Sequence, residues 1–373
     1  MAEGCVSTVA PIELFFYLVF VFAVSQLSHH LIEHLSLRSL AETLVMLVAV
    51  LTVWSYTSWA ATMIPVYRAS AAWMMLVVML LGLIMNASIS KAFGLAAWGL
   101  VAPMLMIQIG RTIWTIFNAS DAAFKEHFIR ALIWLVLTAP LWVIGAMSEP
   151  HDRLWWWASA AAIELIGTWL AHPVPGKRLK SENIPFNADH MLERCNLFLI
   201  IALGETVLTT GISISASPTN LMTLLTGTCA LIGTIALWAM AFGSAQRHTL
   251  HHAEVTVDPV RVSRHAMNAI TIMVAGLIAV AVAGEKIVHH PSGHVSLMVG
   301  MLLTMGPALF LIAQSWYLQS ILKIRSHTHS VAALVIAPIG LLVLMLPPYG
   351  VIVISGLILA LVAAYDWSSS VKT

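Results

Sequence analysis

Runs of about twenty apolar residues recur along this chain with almost no charge inside them, and no other feature limits its fold so strongly. A membrane-spanning helix needs about 20 mostly apolar residues. Such runs fall near 12–33, 41–62, 70–90, 93–117, 130–148 and 153–171, and again near 194–215, 221–243, 265–285, 295–320, 330–347 and 349–366. Composition agrees. Of 373 residues, 60% are hydrophobic and 9% charged, with a mean hydropathy of +0.89. A soluble domain is about 25% charged, so an ordinary soluble enzyme, a secreted disulfide scaffold and a disordered chain are all excluded. The net charge of +1 speaks against a nucleic-acid partner, which would demand a clustered basic excess. Cys5, Cys195 and Cys229 set no disulfide or zinc framework. The expected class is an all-α polytopic membrane protein with about twelve transmembrane helices, and its first partner is the lipid bilayer. No Lys or Arg precedes Glu13, unlike the basic start of a cleaved signal peptide, so the first span is expected to stay in the mature protein.

Loop charges give an orientation through the positive-inside rule. With the N-terminus inside, Arg68, Lys125, Arg130, Lys177, Arg178, Lys180, Arg194, Arg247, Arg261, Arg264, Lys323, Arg325 and Lys372 lie on the cytoplasmic side. Arg38, Lys91, Arg153 and Lys286 face out, and Arg111 lies inside a span. Both termini are therefore expected in the cytoplasm, with the chain in the cytoplasmic (inner) membrane.

The two sets of six runs look like copies. FFYLVFVFAVSQL (15–27) aligns without gaps on RCNLFLIIALGET (194–206), and RASAAWMMLVVMLLGLIM (68–85) on RHAMNAITIMVAGLIAVA (264–281). The fourth span aligns on the tenth, placing Arg111 opposite Gln314. Six helices per copy is an even number, so the two repeats would run parallel about an axis along the membrane normal. The expected layout is a first six-helix repeat over 1–172, a cytoplasmic linker over 173–193 and a second six-helix repeat over 194–373. Apolar spans also resemble one another without common descent.

An ionisable group in the hydrocarbon is a functional hypothesis by default, and four stand out: Glu13, Arg111, Glu164 and Glu205. At about 1.5 Å of rise per residue, Arg111 returns to the level of Tyr17 and is expected to reach Glu13 or Glu164. Its partner is either a counter-ion that ties helices together or part of a substrate or ion path. The pseudo-equivalent pair in the second half is Asn196 with Gln314. Glu205 has small and hydroxylated neighbours in ALGETVLTTG, which suits either a protonated interhelical hydrogen bond or a carboxylate that exchanges a proton. Its repeat counterpart is Gln26.

Histidines number 16. His30, Glu33 and His34 match H-x-x-E-H, an inverted zinc-protease pattern, at the outer end of the first span, and His289, His290 and His294 lie on the same face. Interfacial histidines are the simpler reading, with a metal or pH-sensing site the sharper one. His248, His251, His252 and Glu254 form a second, cytoplasmic group. Trp54, Tyr56 and Trp59 share one span and either pack it or line a cavity. There is no Gly-rich phosphate loop, G-x-S-x-G elbow or C-x-x-C, so no cofactor and no enzyme are expected.

ELFFYLVFVFAVSQLSH (13–29), IQIGRT (107–112) and HMLERCNLFLIIALGET (190–206) resemble the signatures of the bacterial low temperature requirement A family, LtrA, over essentially the whole chain. By position, the resemblance implies roles for Glu13, Gln26, His29, Arg111, His190, Glu193, Arg194 and Glu205. The family reads E-L-F-F-D where this chain has Tyr17, and by the depth argument that Asp would be the counter-ion of Arg111. Its loss leaves Glu13, Glu164 or the Tyr17 hydroxyl to satisfy the guanidinium. The resemblance implies a multi-spanning protein and no particular reaction. FFYLVFVFA is also similar to the opening of an organellar potassium-channel family with two six-helix repeats. The expected function is passage of an ion or small-molecule solute, by a proton-coupled transporter or a channel, with a homodimer possible. The alternatives are a membrane scaffold for growth in the cold and a metal-dependent membrane enzyme using the outer histidines.

Overall fold

The computed structural model describes residues 10–64, 68–175, 188–218, 220–243, 258–322 and 327–370. They form twelve α-helices: α1 (Pro11–Glu33), α2 (Leu37–Met63), α3 (Ala69–Ala87), α4 (Ala97–Asn118), α5 (Ala122–Met147), α6 (Pro150–Trp169), α7 (Ala188–Ala216), α8 (Leu221–Phe242), α9 (Pro259–His289), α10 (Leu297–Leu322), α11 (His327–Ile336) and α12 (Pro348–Ser370). A 3₁₀ segment, Ala337–Leu344, continues α11, because Pro338 brings no N–H to an α-helical ladder. Among the described residues there is no β-strand.

Eleven helical segments are long and apolar enough to cross a membrane, with α11 and its 3₁₀ continuation counting as one. The sixth run is the exception to the expected twelve. Its 20 residues carry Asp152, Arg153 and Glu164, too many charges for an unassisted span. The other differences lie at helix starts. α5, α7 and α9 begin six to eight residues before their apolar runs do. Asp121 caps α5 by accepting from Phe124 N at 2.8 Å, and Asp258 caps α9 by accepting from Arg261 N at 2.9 Å. A short acceptor at the N-cap satisfies a free amide, so polar first turns fold as helix although hydropathy stops short of them.

The chain packs as two compact units. Unit 1 comprises residues 1–26, 44–198 and 256–264, and unit 2 comprises 27–43, 199–255 and 265–373. In unit 1, α3, α4, α5 and α6 pack each on the next, around fully buried Phe20, Trp54, Phe124, Phe128, Trp142 and Trp157. In unit 2, α8 packs on α12, and α10 on α11 and the 3₁₀ segment. Close approach there depends on glycine. A Cβ on Gly276 would stand 2.5 Å from the Gly306 carbonyl oxygen, and one on Gly300 2.5 Å from that of Gly340. Small residues that let backbones meet are the usual glue of membrane helices. Of the expected linker 173–193, residues 176–187 lie outside the described residues, as do His248, His251, His252 and Glu254.

Candidate functional site

Unit 1 buries four arginines, Arg111, Arg130, Arg153 and Arg194, at 2–5% exposure. A buried charge is tolerated when paired or fully hydrogen-bonded, and the four differ in how far that condition is met.

Arg194, six residues into α7, is satisfied. One terminal nitrogen bonds the Glu13 carboxylate and the Ala61 carbonyl at 3.2 Å, and the other bonds the Thr62 hydroxyl and the Ser58 carbonyl at 2.9 Å. Glu13 in turn accepts from Ala10 N at 3.1 Å, so the carboxylate also holds the start of α1. Arg153 donates to the carbonyls of Ala92, Gly94, Gly145 and Ser148 at 2.8–3.1 Å and lies over the Trp157 ring at 5.6 Å. It closes the end of α5 onto the turn before α4.

Arg111 is only partly satisfied. Its terminal nitrogens bond Val53 O at 3.1 Å, Thr57 Oγ1 at 3.2 Å and Thr112 Oγ1 at 3.3 Å, and its guanidinium lies 5.2 Å from the centre of the Tyr56 ring. Its Nε has no partner. The expected ion pair with Glu13 or Glu164 does not form. Glu13 is taken by Arg194, and Glu164 faces α5, where Oε1 accepts from Trp142 Nε1 at 2.8 Å and Thr138 Oγ1 at 3.0 Å. The Tyr17 hydroxyl does not replace them: it is buried without a hydrogen bond, and its charged neighbours are Arg194 and Glu13. Gln108 faces the same carboxylate and acts on it.

Arg130 is the extreme case. The sequence reading places it in a loop, yet it lies on α5, and neither its Nε nor its Nη1 makes a hydrogen bond. One turn earlier, His127 is also buried with Nδ1 unpartnered. Its ring centre is 5.7 Å from that of His172 and 6.0 Å from that of Trp59. His172 bonds the Tyr56 hydroxyl. It is held there by a turn in which Ala171 and His172 take left-handed φ of 59° and 52°, and its N donates to Gly167 O at 2.7 Å. Left-handed backbone costs about 1–2 kcal/mol per non-glycine residue, a strain the ring's contacts offset. Burial, with the nearby charges of His127, Arg130 and Arg264, holds the His172 imidazole well below its ordinary pKa. His127 and His172 escaped the sequence reading because each stands outside its apolar run, and Arg130 and Arg153 because each opens one and reads as a loop charge. The three-residue spacing of His127 and Arg130 on one helical face was the available signal.

The remaining candidates are dispersed. In unit 2, Glu205 is half-buried and accepts from Thr209 Oγ1 at 3.4 Å, while Gln314 is buried and donates to Met240 O. Gln26, Asn196, His190 and Glu193 are half-buried and His29 is exposed. Of the H-x-x-E-H motif, His30 is buried 3.1 Å from Glu42 Oε2, with Arg38 Nε 2.8 Å from the other oxygen, whereas Glu33 and His34 are exposed. His289 meets Ser217 Oγ at 3.0 Å, and His290 and His294 are exposed. Among the described residues, no three His, Cys, Asp or Glu gather closely enough to hold a metal ion. A cavity of about 30 Å³, lined by Thr206, Thr210, Thr234 and Ser355 among others, is room for one water.

Apolar helices of spanning length and a cluster of buried cationic groups define a multi-pass membrane protein. The chain belongs to the bacterial low temperature requirement A (LtrA) protein family, whose pattern it matches over residues 8–364. It is similar to an uncharacterized protein of Rhizobium meliloti (strain 1021), RA0937, with 28% identity over 361 residues that cover 95% of this chain and 88% of that protein. No solved structure matches it.

Proposed function

We propose that this protein moves an ion or small solute across the cytoplasmic membrane, as a proton-coupled transporter or a channel. One observation carries the reading: the interior of unit 1 holds guanidinium nitrogens without partners among the described residues, namely Arg111 Nε and Arg130 Nε and Nη1. Such groups are expensive in a membrane protein and are retained where something passes or binds. The basic loops support both termini in the cytoplasm, which requires α6 to cross, packed on α5, beside the eleven apolar spans; the α4 end and α5 start that carry Arg111 and His127 would then face that side. The parallel six-helix repeat, and a homodimer, belong to the same reading.

Purified protein in proteoliposomes tests it. Flux or current should exceed that of empty vesicles for at least one ion or solute in a broad panel, and Arg111→Leu should reduce it at least tenfold. Silence across the panel would refute the reading. Glu205→Gln separates the two modes: it abolishes proton coupling in a transporter and leaves a channel conducting.

A further inference from the structure

We propose that the Arg130–His127 face of α5, with His172 and Arg264 around it, binds a small oxyanion: a free phosphate- or carboxylate-type anion, or the phosphate of an anionic lipid headgroup. Because it gives the passage reading its cargo class, the inference rests on that reading for its role, though not for the site itself.

The geometry points there from several sides. Arg130 is 3% exposed and its Nε and Nη1 make no hydrogen bond among the described residues, whereas Arg194 in the same unit uses both terminal nitrogens. Guanidinium nitrogens buried without acceptors are disfavoured, so the open Nε and Nη1 point to a ligand that supplies acceptors. His127 Nδ1, one helical turn away, is a second open polar atom on the same face. Arg130 and Arg264 both act electrostatically on His127 and on His172. Among the described residues, the acidic groups in range are Glu126, which acts on Arg130, and Asp258, which acts on Arg264 alongside Arg261, so the described cationic groups are in excess.

The chemistry selects the ligand class. A guanidinium with open N–H donors at Nε and Nη1 presents a planar donor set that matches the oxygens of an oxyanion, a fit that a halide lacks. The aromatic walls, Trp59 and Phe128 beside His127 and Tyr56 beside His172, favour a small anion over a hydrated one. Arg130 lies about 12 Å along α5 from its first residue, at about 1.5 Å per residue, within reach of an aqueous ion and of a headgroup phosphate.

The test is thermal unfolding of the purified full chain, followed by tryptophan fluorescence. Phosphate, sulfate, acetate or bicarbonate is titrated against chloride at matched ionic strength, in nanodiscs of phosphatidylcholine with and without phosphatidylglycerol. At least one oxyanion should raise Tm by several degrees along a saturable curve, and Arg130→Gln should abolish the rise. Arg130→Lys, which keeps the charge without the fork, should weaken apparent affinity at least tenfold. A rise produced by phosphatidylglycerol, to which free anions add nothing, assigns the site to the lipid phosphate. A rise produced in phosphatidylcholine alone assigns it to the free anion. No rise under any condition, or an undiminished rise in Arg130→Gln, overturns the proposal. Binding without flux in proteoliposomes keeps the site and refutes passage.

Discussion

The interiors of the two units are built on opposite principles. Unit 1 buries Arg111, Arg130, Arg153, Arg194, Glu13 and Glu164, and its helices are tied by guanidinium and carboxylate groups reaching across to carbonyls and hydroxyls. Among its described residues unit 2 buries no arginine; its backbones meet directly at Gly276–Gly306 and Gly300–Gly340. Its ionisable groups close on each other, as in His30–Glu42 and His329–Asp366. Small residues can hold membrane helices together, and unit 2 uses them at these two crossings. The charges of unit 1 are therefore more than adhesive, and the open atoms among them mark where function is to be sought.

The two principles fail differently when broken. Arg194→Leu strands the Glu13 carboxylate, so it should cost about 3–5 kcal/mol, the penalty for removing one partner of a buried pair. Adding Glu13→Gln should recover much of that loss, because the second change removes the orphan. Denaturant titration of the two single variants and the double one gives the coupling directly. A double variant no better than Arg194→Leu would mean that the pair does not hold unit 1.

In unit 2 the expected damage is steric and smaller. Gly276→Val puts a side chain on the Gly306 carbonyl, and overpacking of this kind costs about 1–3 kcal/mol. Gly110 in α4 is the control: nothing lies within 4 Å of its missing Cβ, so Gly110→Ala should be tolerated. Equal losses at the two positions would show that the Gly276–Gly306 crossing is not a tight contact.

How much of this was legible in the sequence follows the same division. Helix number and type were readable, because apolar runs of twenty residues have few other folds. Glu13, Arg111, Glu164 and Glu205 were readable as candidates, because a charge in such a run is conspicuous, while Arg194 entered only through the family resemblance. Their pairing was not. Depth along the helices brought Arg111 level with Tyr17 and near Glu13, but it carries no azimuth, and Arg194 on α7 had the better approach to that carboxylate. His127 and Arg130 were hidden for another reason. The first turns of α5 are polar, and hydropathy reads a polar turn as loop even where Asp121 caps it as helix.

His172 offers a gentler probe. Its imidazole is held neutral in the folded protein, while in the unfolded chain it takes up a proton near the ordinary histidine pKa of about 6.5. As pH falls below that value the unfolded state binds the extra proton, so stability should decline with acidification. The slope from this one group cannot exceed about 1.4 kcal/mol per pH unit. His172→Gln should flatten the Tm–pH curve between about pH 6.5 and 5. An unchanged slope would mean that the ring is protonated in the folded state as well.

Tyr17 should show the smallest effect, and it bears most directly on why unit 1 is polar. Its ring is part of the core, packed 5.7 Å from Phe16 and 6.5 Å from Trp54, while its hydroxyl is buried without a hydrogen bond. Removing a polar group that has no partner forfeits no bond and relieves its desolvation, so Tyr17→Phe should change stability by less than about 1 kcal/mol, with gain as probable as loss. If the hydroxyl serves only packing, flux in proteoliposomes should be equally unaffected. Unchanged Tm with impaired flux would place the hydroxyl on the path. A large loss of stability would instead show that a hydrogen bond, to Arg194 or Glu13, holds it in the folded protein.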